Sequence, residues 1–328
     1  MTDNILITGP SLAPAAVDVL VNAGFAPVYV PPYSDGAGLI AAVREADPVG
    51  VLARMGRIDE NLFAVAPRLR VISKHGAGVD NIDVDAASAR GIPVLNAAGA
   101  NAVSVAEHAI ALLFAVAKKV IPLDQSIREG RWEKAGFQGR ELAGSIMGLV
   151  AFGAIARHTA RFAKGLGMTV LAYDPFTPAE VFAAEGVERV ENLDRLFATS
   201  NVISLHSPLT PATKHVVNAE RLALMKRDAI IINTARGGLI DEAALATALA
   251  EDRIFGAGLD TFAQEPPPAD HPFWAEPKLV LSPHIGGVTA AANKRVGLDA
   301  AQGIVDILTG RSVPAARIVN RAKLKITA

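Results

Sequence analysis

"GLVAFGAIARH", residues Gly148–His158, is the stretch whose reading decides the fold of this chain. It begins as the end of an apolar run, "IMGLVAF", crosses a turn at Gly153, and continues into "AIARHTARFAKGLG", whose helical pattern stops at Gly165 or Gly167. A second apolar run, "MTVLAYD", then ends on Asp174. Strand, turn, helix and strand in this order make a βαβ unit with parallel strands. The start of its helix offers unpaired N–H groups and the positive end of the helix dipole, which suit a phosphate. A glycine is required only where backbone must touch that phosphate, and Gly153 stands there. Against the dinucleotide-binding pattern Gly-x-Gly-x-x-Gly the chain reads Ala151-x-Gly153-x-x-Ala156. Ala156, at the position that serves helix packing, is a mild departure. Ala151 is the serious one, because a Cβ there is strained if φ is positive. Asp174 lies 21 residues beyond Gly153, where a carboxylate accepts hydrogen bonds from the ribose hydroxyls of a dinucleotide. It also repels a 2′-phosphate, and neither Pro175 nor Phe176 supplies a compensating arginine, so the expected cofactor is NAD rather than NADP. The competing reading is a βαβ unit that only packs, with Asp174 a turn residue at a strand end.

Outward from this unit the same alternation continues. The runs "NILIT", "PVYV", "VGVLA", "LRVIS" and "IPVLN" precede Gly99, and "VISLH", "AIIINT" and "LVLS" follow it, with helical stretches between them. The expected fold class is α/β with two parallel-sheet domains, one on each side of the apolar stretch "NAVSVAEHAIALLFAVAKK", Asn101 to Lys119, read as a helix buried on most sides. A last helical pattern from about Thr289 to Leu308 is followed by "GRSVPAARIVN", which returns the chain to the first sheet. With 328 residues, 20% of them charged, and a net charge of −1, the chain has no basic field to hold nucleic acid or an acidic membrane. No apolar run reaches the roughly 18 residues of a membrane span. The absence of cysteine excludes disulfides, thiol catalysis and thiolate metal sites. No metal is expected, and the absence of a targeting pattern in "MTDNILITGP" sets a cytoplasmic expectation.

Three polar residues stand at strand exits. "IIINTARGGLIDEAAL" puts Arg236 directly after a strand, "AGLDTFAQEPPP" puts Glu265 at a strand-to-loop exit, and "LVLSPHIGGVT" puts His284 after another strand, 19 residues later. Ligands of an open parallel sheet gather at such exits. Arginine, carboxylate and histidine together are what reduction of a 2-oxo acid needs: a planar fork for the carboxylate and carbonyl, a proton donor, and a partner that holds the donor's ring and favours its charged form. Taken singly, each has a duller explanation as a surface charge, a solvated carboxylate or a structural histidine.

From about residue 3 to 320 the chain resembles the D-2-hydroxyacid dehydrogenase family, NAD-dependent enzymes with a split substrate domain around a Rossmann domain. The resemblance rests on linked motifs in order: "KHGAGVDNIDV", "GANAVSVAEHAIAL", "GRELAGSIMGLVAFGAIA", "VLAYDP", "VISLHSPLTPAT", "INTARGGLIDEAAL", "LDTFAQEP" and "SPHIGG". It implies a substrate domain of residues 1–99 plus 289–328 and an NAD-binding domain of residues 100–288, with a hinge near Gly99 and Pro283. It further implies Arg236 as the substrate arginine, His284 as general acid/base, Glu265 as its partner, and backbone contacts to substrate at Ala77 and Gly78. Cofactor contacts are implied around Gly153, Ala154, Ile155, Asp174, His206, Pro208, Thr213, Ala235, Asp260 and His284. Position 154 departs from the family, which usually carries arginine there. The stretches "LARMG", "KHGAGVDNIDV" and "IREGRWEKAGFQGRELAG" look most like phosphoglycerate dehydrogenases, with Arg54 and Lys74 placed to neutralise a substrate phosphate. With the sequence stopping near Ala328, the serine-sensing domain of longer relatives is not expected. A hydroxypyruvate or glyoxylate reductase is the nearest alternative. Formate dehydrogenases carry glutamine at the Glu265 position and fit less well. A non-catalytic NAD-sensing protein is the alternative of another class. The small-molecule 2-hydroxy or 2-oxo acid is the expected partner, and a homodimer built on the Asn101 to Lys119 helix is the family's assembly.

Overall fold

The computed structural model describes residues 2–31, 34 and 36–324. Two compact units account for it, Met1–Asn101 with Val288–Ala328, and Ala102–Gly287.

In the first unit, strands β1 (Asp3–Ile7), β2 (Phe25–Tyr29), β3 (Gly50–Ala53), β4 (Val71–Lys74) and β5 (Val94–Leu95) alternate with helices α1 (Pro14–Asn22), α2 (Gly36–Ala46), α3 (Glu60–Ala64) and α4 (Val84–Ala89). The strands pair in parallel in the order β2-β1-β3-β4-β5. Successive side chains go to opposite faces: Ile5 and Ile7 bury against Leu12, Ala16 and Leu20, whereas Leu6 joins Val43, Leu62 and Phe63. Both faces being covered, the strands are almost wholly apolar. The order reverses between β1 and β3, which puts the switch point at the loops beginning with Thr8 and Arg54.

The second unit contains α5 (Ala102–Ala117), α6 (Val120–Arg128), β6 (Ile146–Val150), α7 (Ala154–Gly165), β7 (Thr169–Tyr173), α8 (Ala179–Glu185), β8 (Glu188–Arg189), α9 (Leu193–Thr199) and β9 (Val202–Leu205). It continues with α10 (Ala219–Leu224), β10 (Ile230–Asn233), α11 (Glu242–Ala250), β11 (Gly256–Leu259) and β12 (Leu279–Leu281). Its seven strands lie parallel in the order β12-β11-β10-β9-β6-β7-β8, the doubly wound arrangement with its switch point between β6 and β9. One face carries Ile230 and Ile232 onto α5 and α7, and the other carries Ile231 onto the α9 to α11 side. Nine of the sixteen residues of α5 are buried, so the apolar stretch after Asn101 is a core helix of this unit.

A final helix, α12 (Ala290–Leu308), belongs to the first unit again; Thr289 caps it by accepting from Ala292 N–H at 3.1 Å. The segment behind it pairs Ile318 with Leu95, and the buried Asn320 accepts from Val94 N–H at 2.9 Å, closing the return to the first sheet. Among the described residues no helix is long and apolar enough to cross a membrane.

Candidate active site

The turn after β6 has the backbone of a glycine turn without the glycine. Ala151 sits at φ +73°, held from both sides: its N–H donates to Tyr173 C=O at 2.8 Å, and the next N–H, of Phe152, donates to Asp174 Oδ2 at 2.8 Å. Six other helices, α3, α4, α9, α10, α11 and α12, are capped by an Asp, Asn or Thr side chain. Helix α7 begins at Gly153 with no such cap, and among the described residues the N–H groups of Ala154, Ile155 and Ala156 meet no acceptor. A Cβ built on Gly153 would meet nothing within 4 Å, so the approach to those donors is open. Open donors at a helix start are what a pyrophosphate requires.

Asp174 is buried and accepts four hydrogen bonds. Oδ1 takes Phe176 N–H at 2.8 Å and Thr177 N–H at 3.1 Å; Oδ2 takes Phe152 N–H and the Thr177 hydroxyl at 3.0 Å. Burial opposes its ionisation, but these four donors outweigh burial and hold the carboxyl below the ordinary range.

Across the switch point, His206 follows β9 and donates its N–H to Val150 C=O at 2.9 Å. Its Nε2 lies 2.9 Å from Ser204 Oγ, and desolvation pushes its pKa down to about 3, so the ring is neutral. The Thr213 hydroxyl bonds Pro208 C=O at 2.6 Å and shapes the 208–213 turn. Further along the same sheet edge, the buried hydroxyls of Ser207, Thr234 and Thr261, just after β9, β10 and β11, have no partner among the described residues. Such orphaned donors fit a polar ligand at the C-terminal ends of the strands.

The buried Asn233 at the end of β10 folds the Arg236 turn: Oδ1 accepts from Ala235 N–H at 3.0 Å and Nδ2 donates to Arg236 C=O at 2.8 Å. Gly237 is obligatory there, since a Cβ would overlap Phe262 backbone at 1.8 Å. That close approach sets Arg236 beside the Glu265 loop, and the Arg236 charge lowers the Glu265 pKa. Glu265 Oε2 meets His284 Nδ1 at 2.7 Å, while Oε1 accepts from Phe262 N–H at 3.1 Å. Burial resists ionisation of Glu265, but the His284 and Phe262 hydrogen bonds and the charges of His284 and Arg236 prevail, holding its carboxyl below the usual range. With Nδ1 engaged, His284 Nε2 meets no hydrogen-bond partner among the described residues.

Asp260, 1% exposed, is the anchor of the His284 loop, accepting from Ser282 Oγ at 2.6 Å, Ile285 N–H at 2.9 Å and Gly286 N–H at 2.7 Å. His108, from α5, reaches the same group, with Nε2 at 2.8 Å from Ser282 Oγ and 3.3 Å from Asp260 Oδ1. Gly286 has no room for a side chain, because a Cβ would stand 2.9 Å from Asp260 Oδ2 and 3.3 Å from the His108 ring. On the other side of the pair, Glu242 accepts from Ala263 N–H at 2.9 Å and contacts His271 Nε2 at 3.2 Å, bracing the Glu265 loop. Sequence reasoning missed His108, Glu242 and His271. The one legible signal was His108, a polar ring in a helix that is apolar apart from it, Ser104 and Glu107.

The remaining candidates lie in the first unit, at and just after the C-terminal ends of β3 and β4. Arg54 follows β3, its guanidinium on Ser11 C=O and its backbone N–H donating to Thr8 Oγ1 at 2.8 Å; desolvation lowers its pKa, opposed by Tyr29. Lys74 ends β4 and donates to Asn81 Oδ1 at 2.7 Å and to Arg54 C=O at 3.3 Å, so its ammonium lies against the Arg54 backbone. Ala77 C=O is fixed by Asn96 Nδ2 at 2.9 Å, and among the described residues the N–H groups of Ala77 and Gly78 meet no acceptor. No cluster of His, Asp or Glu suited to a metal occurs among the described residues.

Residues 110–286 match the family model described as D-isomer specific 2-hydroxyacid dehydrogenase, NAD binding domain. The chain belongs to the D-isomer specific 2-hydroxyacid dehydrogenase family. The D-3-phosphoglycerate dehydrogenase of Methanocaldococcus jannaschii is 39% identical over 93% of this chain and 57% of its own length. That of Mycobacterium tuberculosis is 42% identical over 84% of this chain and 52% of its own length. The chain thus spans about half the length of the curated relatives it matches. Among solved structures, the TT0316 protein of Thermus thermophilus superposes with a TM-score of 0.86 at 35% identity, covering 95% of this chain and 98% of that one. The open donors of α7 and the orphaned hydroxyls therefore line the NAD(P)-binding domain of the family.

Proposed function

We propose that this chain is an NAD-dependent oxidoreductase that interconverts a D-2-hydroxyacid and its 2-oxo acid, of the phosphoglycerate dehydrogenase type. The observation that carries the reading is the His284–Glu265 contact of 2.7 Å with Arg236 held beside it at the C-terminal edge of a parallel sheet. In this reading the uncapped start of α7 holds the pyrophosphate and Asp174 the adenosine ribose; the carboxylate, ionised because its four donors keep its pKa low, repels a 2′-phosphate. When bound there, the nicotinamide would supply or accept the hydride at the 2-carbon. Arg236 binds the carboxylate and carbonyl as a planar fork. In reduction, the protonated His284 ring donates from Nε2 to the carbonyl oxygen while its Nδ1–H donates to Glu265. In oxidation the same Nε2 starts unprotonated and takes the hydroxyl proton. For the first unit the reading assigns the N–H groups of Ala77 and Gly78 to a carboxylate and the neighbouring Arg54 and Lys74 to a phosphate.

A second reading, a hydroxypyruvate or glyoxylate reductase, is favoured by one observation: both cations are already engaged, Arg54 with Ser11 and Lys74 with Asn81. Oxidation of NADH with 3-phosphohydroxypyruvate, hydroxypyruvate and glyoxylate separates the two. A kcat/KM at least tenfold higher for the phosphorylated acid supports the first, and the reverse order overturns it in favour of the second. No turnover despite NADH binding defeats the enzyme reading and leaves an NAD-sensing protein. We also propose a homodimer: Val120, Ile121, Ile127, Trp132 and Phe137 are exposed within one short segment, Trp132 by 79%. Light scattering that returns a monomer at micromolar concentration would refute it.

A further inference from the structure

We infer that the Thr177 hydroxyl occupies, in this structure, the acceptor position that an adenosine ribose hydroxyl must take, so that Thr177 sets how tightly this chain holds its dinucleotide. The inference rests on the proposed NAD reading and concerns the ribose end of that site.

A carboxylate has about four lone-pair positions, two on each oxygen. Asp174 has all four filled, by Phe176 and Thr177 N–H on Oδ1 and by Phe152 N–H and Thr177 Oγ1 on Oδ2. A ribose hydroxyl is accepted only where one of these donors leaves. Three of the four are backbone groups. Phe152 N–H is fixed by the strained turn at Ala151, and the N–H groups of Phe176 and Thr177 by the turn that Asp174 itself makes across residues 174–177. Removing any of them means rebuilding backbone. The Thr177 hydroxyl leaves by one rotation about χ1, and it is chemically what arrives, an O–H donor at 3.0 Å from Oδ2. Binding therefore exchanges one hydroxyl for another at Asp174, and the incoming bond brings little net gain, since an equivalent bond is broken. The side chain next to the acid is thus a specificity-determining group, although it bears no charge and makes no contact that survives binding.

The experiment is a fluorescence titration of NADH, and of NADH lacking the adenosine 2′- and 3′-hydroxyls, into the full chain and its Thr177→Val and Thr177→Ser variants. Valine keeps the shape and removes the donor, so the vacant Oδ2 position rewards the ribose in full. The expected result is a NADH Kd lower by about tenfold in T177V, the worth of one hydrogen bond to a charged acceptor, with T177S near wild type. The dideoxy analogue should show no gain. Equal or weaker NADH binding by T177V, with wild-type binding intact, overturns the role of Thr177 alone. A gain that persists with the analogue overturns it too, because valine would then be acting elsewhere. If the T177V chain melts at lower temperature than wild type, T177S against Thr177→Ala gives the same comparison. No NADH binding by any of the chains overturns the cofactor reading itself, and this inference with it.

Discussion

Replacing Ala151 by glycine should stabilise this protein, against the usual direction of such a change. At φ +73° the alanine Cβ is held in the left-handed region, which costs an L-residue about 1 to 2 kcal/mol. The residue does not escape by rotating, because its own N–H is tied to Tyr173 C=O and the following N–H to Asp174. Glycine removes that cost but adds freedom to the unfolded chain, which returns about 0.4 to 1 kcal/mol. The balance centres on a gain of about 0.8 kcal/mol, or about 2 to 3 °C in the melting of a unit of this size. Urea unfolding of the wild type and A151G, followed by tryptophan and far-ultraviolet signals, measures it. Because the strain is present before any ligand arrives, it is relieved equally in free and bound forms, and the NADH Kd should change by less than about twofold. A neutral or destabilising A151G would refute the claim that this turn stores left-handed strain. A tenfold tighter Kd would show instead that the Cβ meets the pyrophosphate.

Four further outcomes are expected. His284→Asn, chosen because asparagine tolerates the φ of +55° at this position, should lower kcat by about 100-fold or more while leaving the NADH Kd within a few-fold; near-normal turnover would remove His284 from proton transfer. Glu265→Gln should lower kcat for reduction by about tenfold or more while leaving the NADH Kd within a few-fold, since the His284 ring loses the carboxylate that holds its Nδ1, and unchanged turnover would reduce Glu265 to a loop residue. His206, with its folded pKa depressed to about 3, contributes stability that is fully present above the ordinary histidine range near 6.5 and is lost as pH falls below it toward the folded value. Denaturant titrations from pH 7 to 4 should show a loss of a few kcal/mol that flattens in His206→Asn; an identical slope in the variant would exclude this residue as the source. Ala154→Arg, restoring a cation at the start of α7, should tighten NADH about threefold to tenfold at low salt and lose that gain near 0.5 M salt, and a salt-independent effect would mean that the arginine acts otherwise than by charge.

The sequence alone determined what is local. Apolar runs alternating with helical patterns specify parallel α/β folding, because a strand covered on both faces has no polar side to show. Arg236, Glu265 and His284 were legible as residues at strand exits, and Gly153 as the start of a helix, since these depend only on neighbours in the chain. The two-residue strand β8, Glu188–Arg189, left no trace, because it is charged and is defined only by pairing with β7. Likewise the reversal of strand order in each sheet, which puts Arg54 at one switch point and the Ala151 turn at the other, belongs to pairing between distant segments. Asp174 shows the limit best. Its place after β7 was readable, but its fourfold engagement joins residues 152, 174, 176 and 177, and nothing in a one-dimensional pattern tells how many of a carboxylate's lone pairs a fold will use. The same holds for Asp260, whose bonds to Ser282, Ile285 and Gly286 set the loop of His284, and for His108, brought to it from 174 positions away by the packing of α5. Hydrogen bonds are short and directional, so which groups become partners is decided only when tertiary packing has fixed their positions to within a fraction of an ångström.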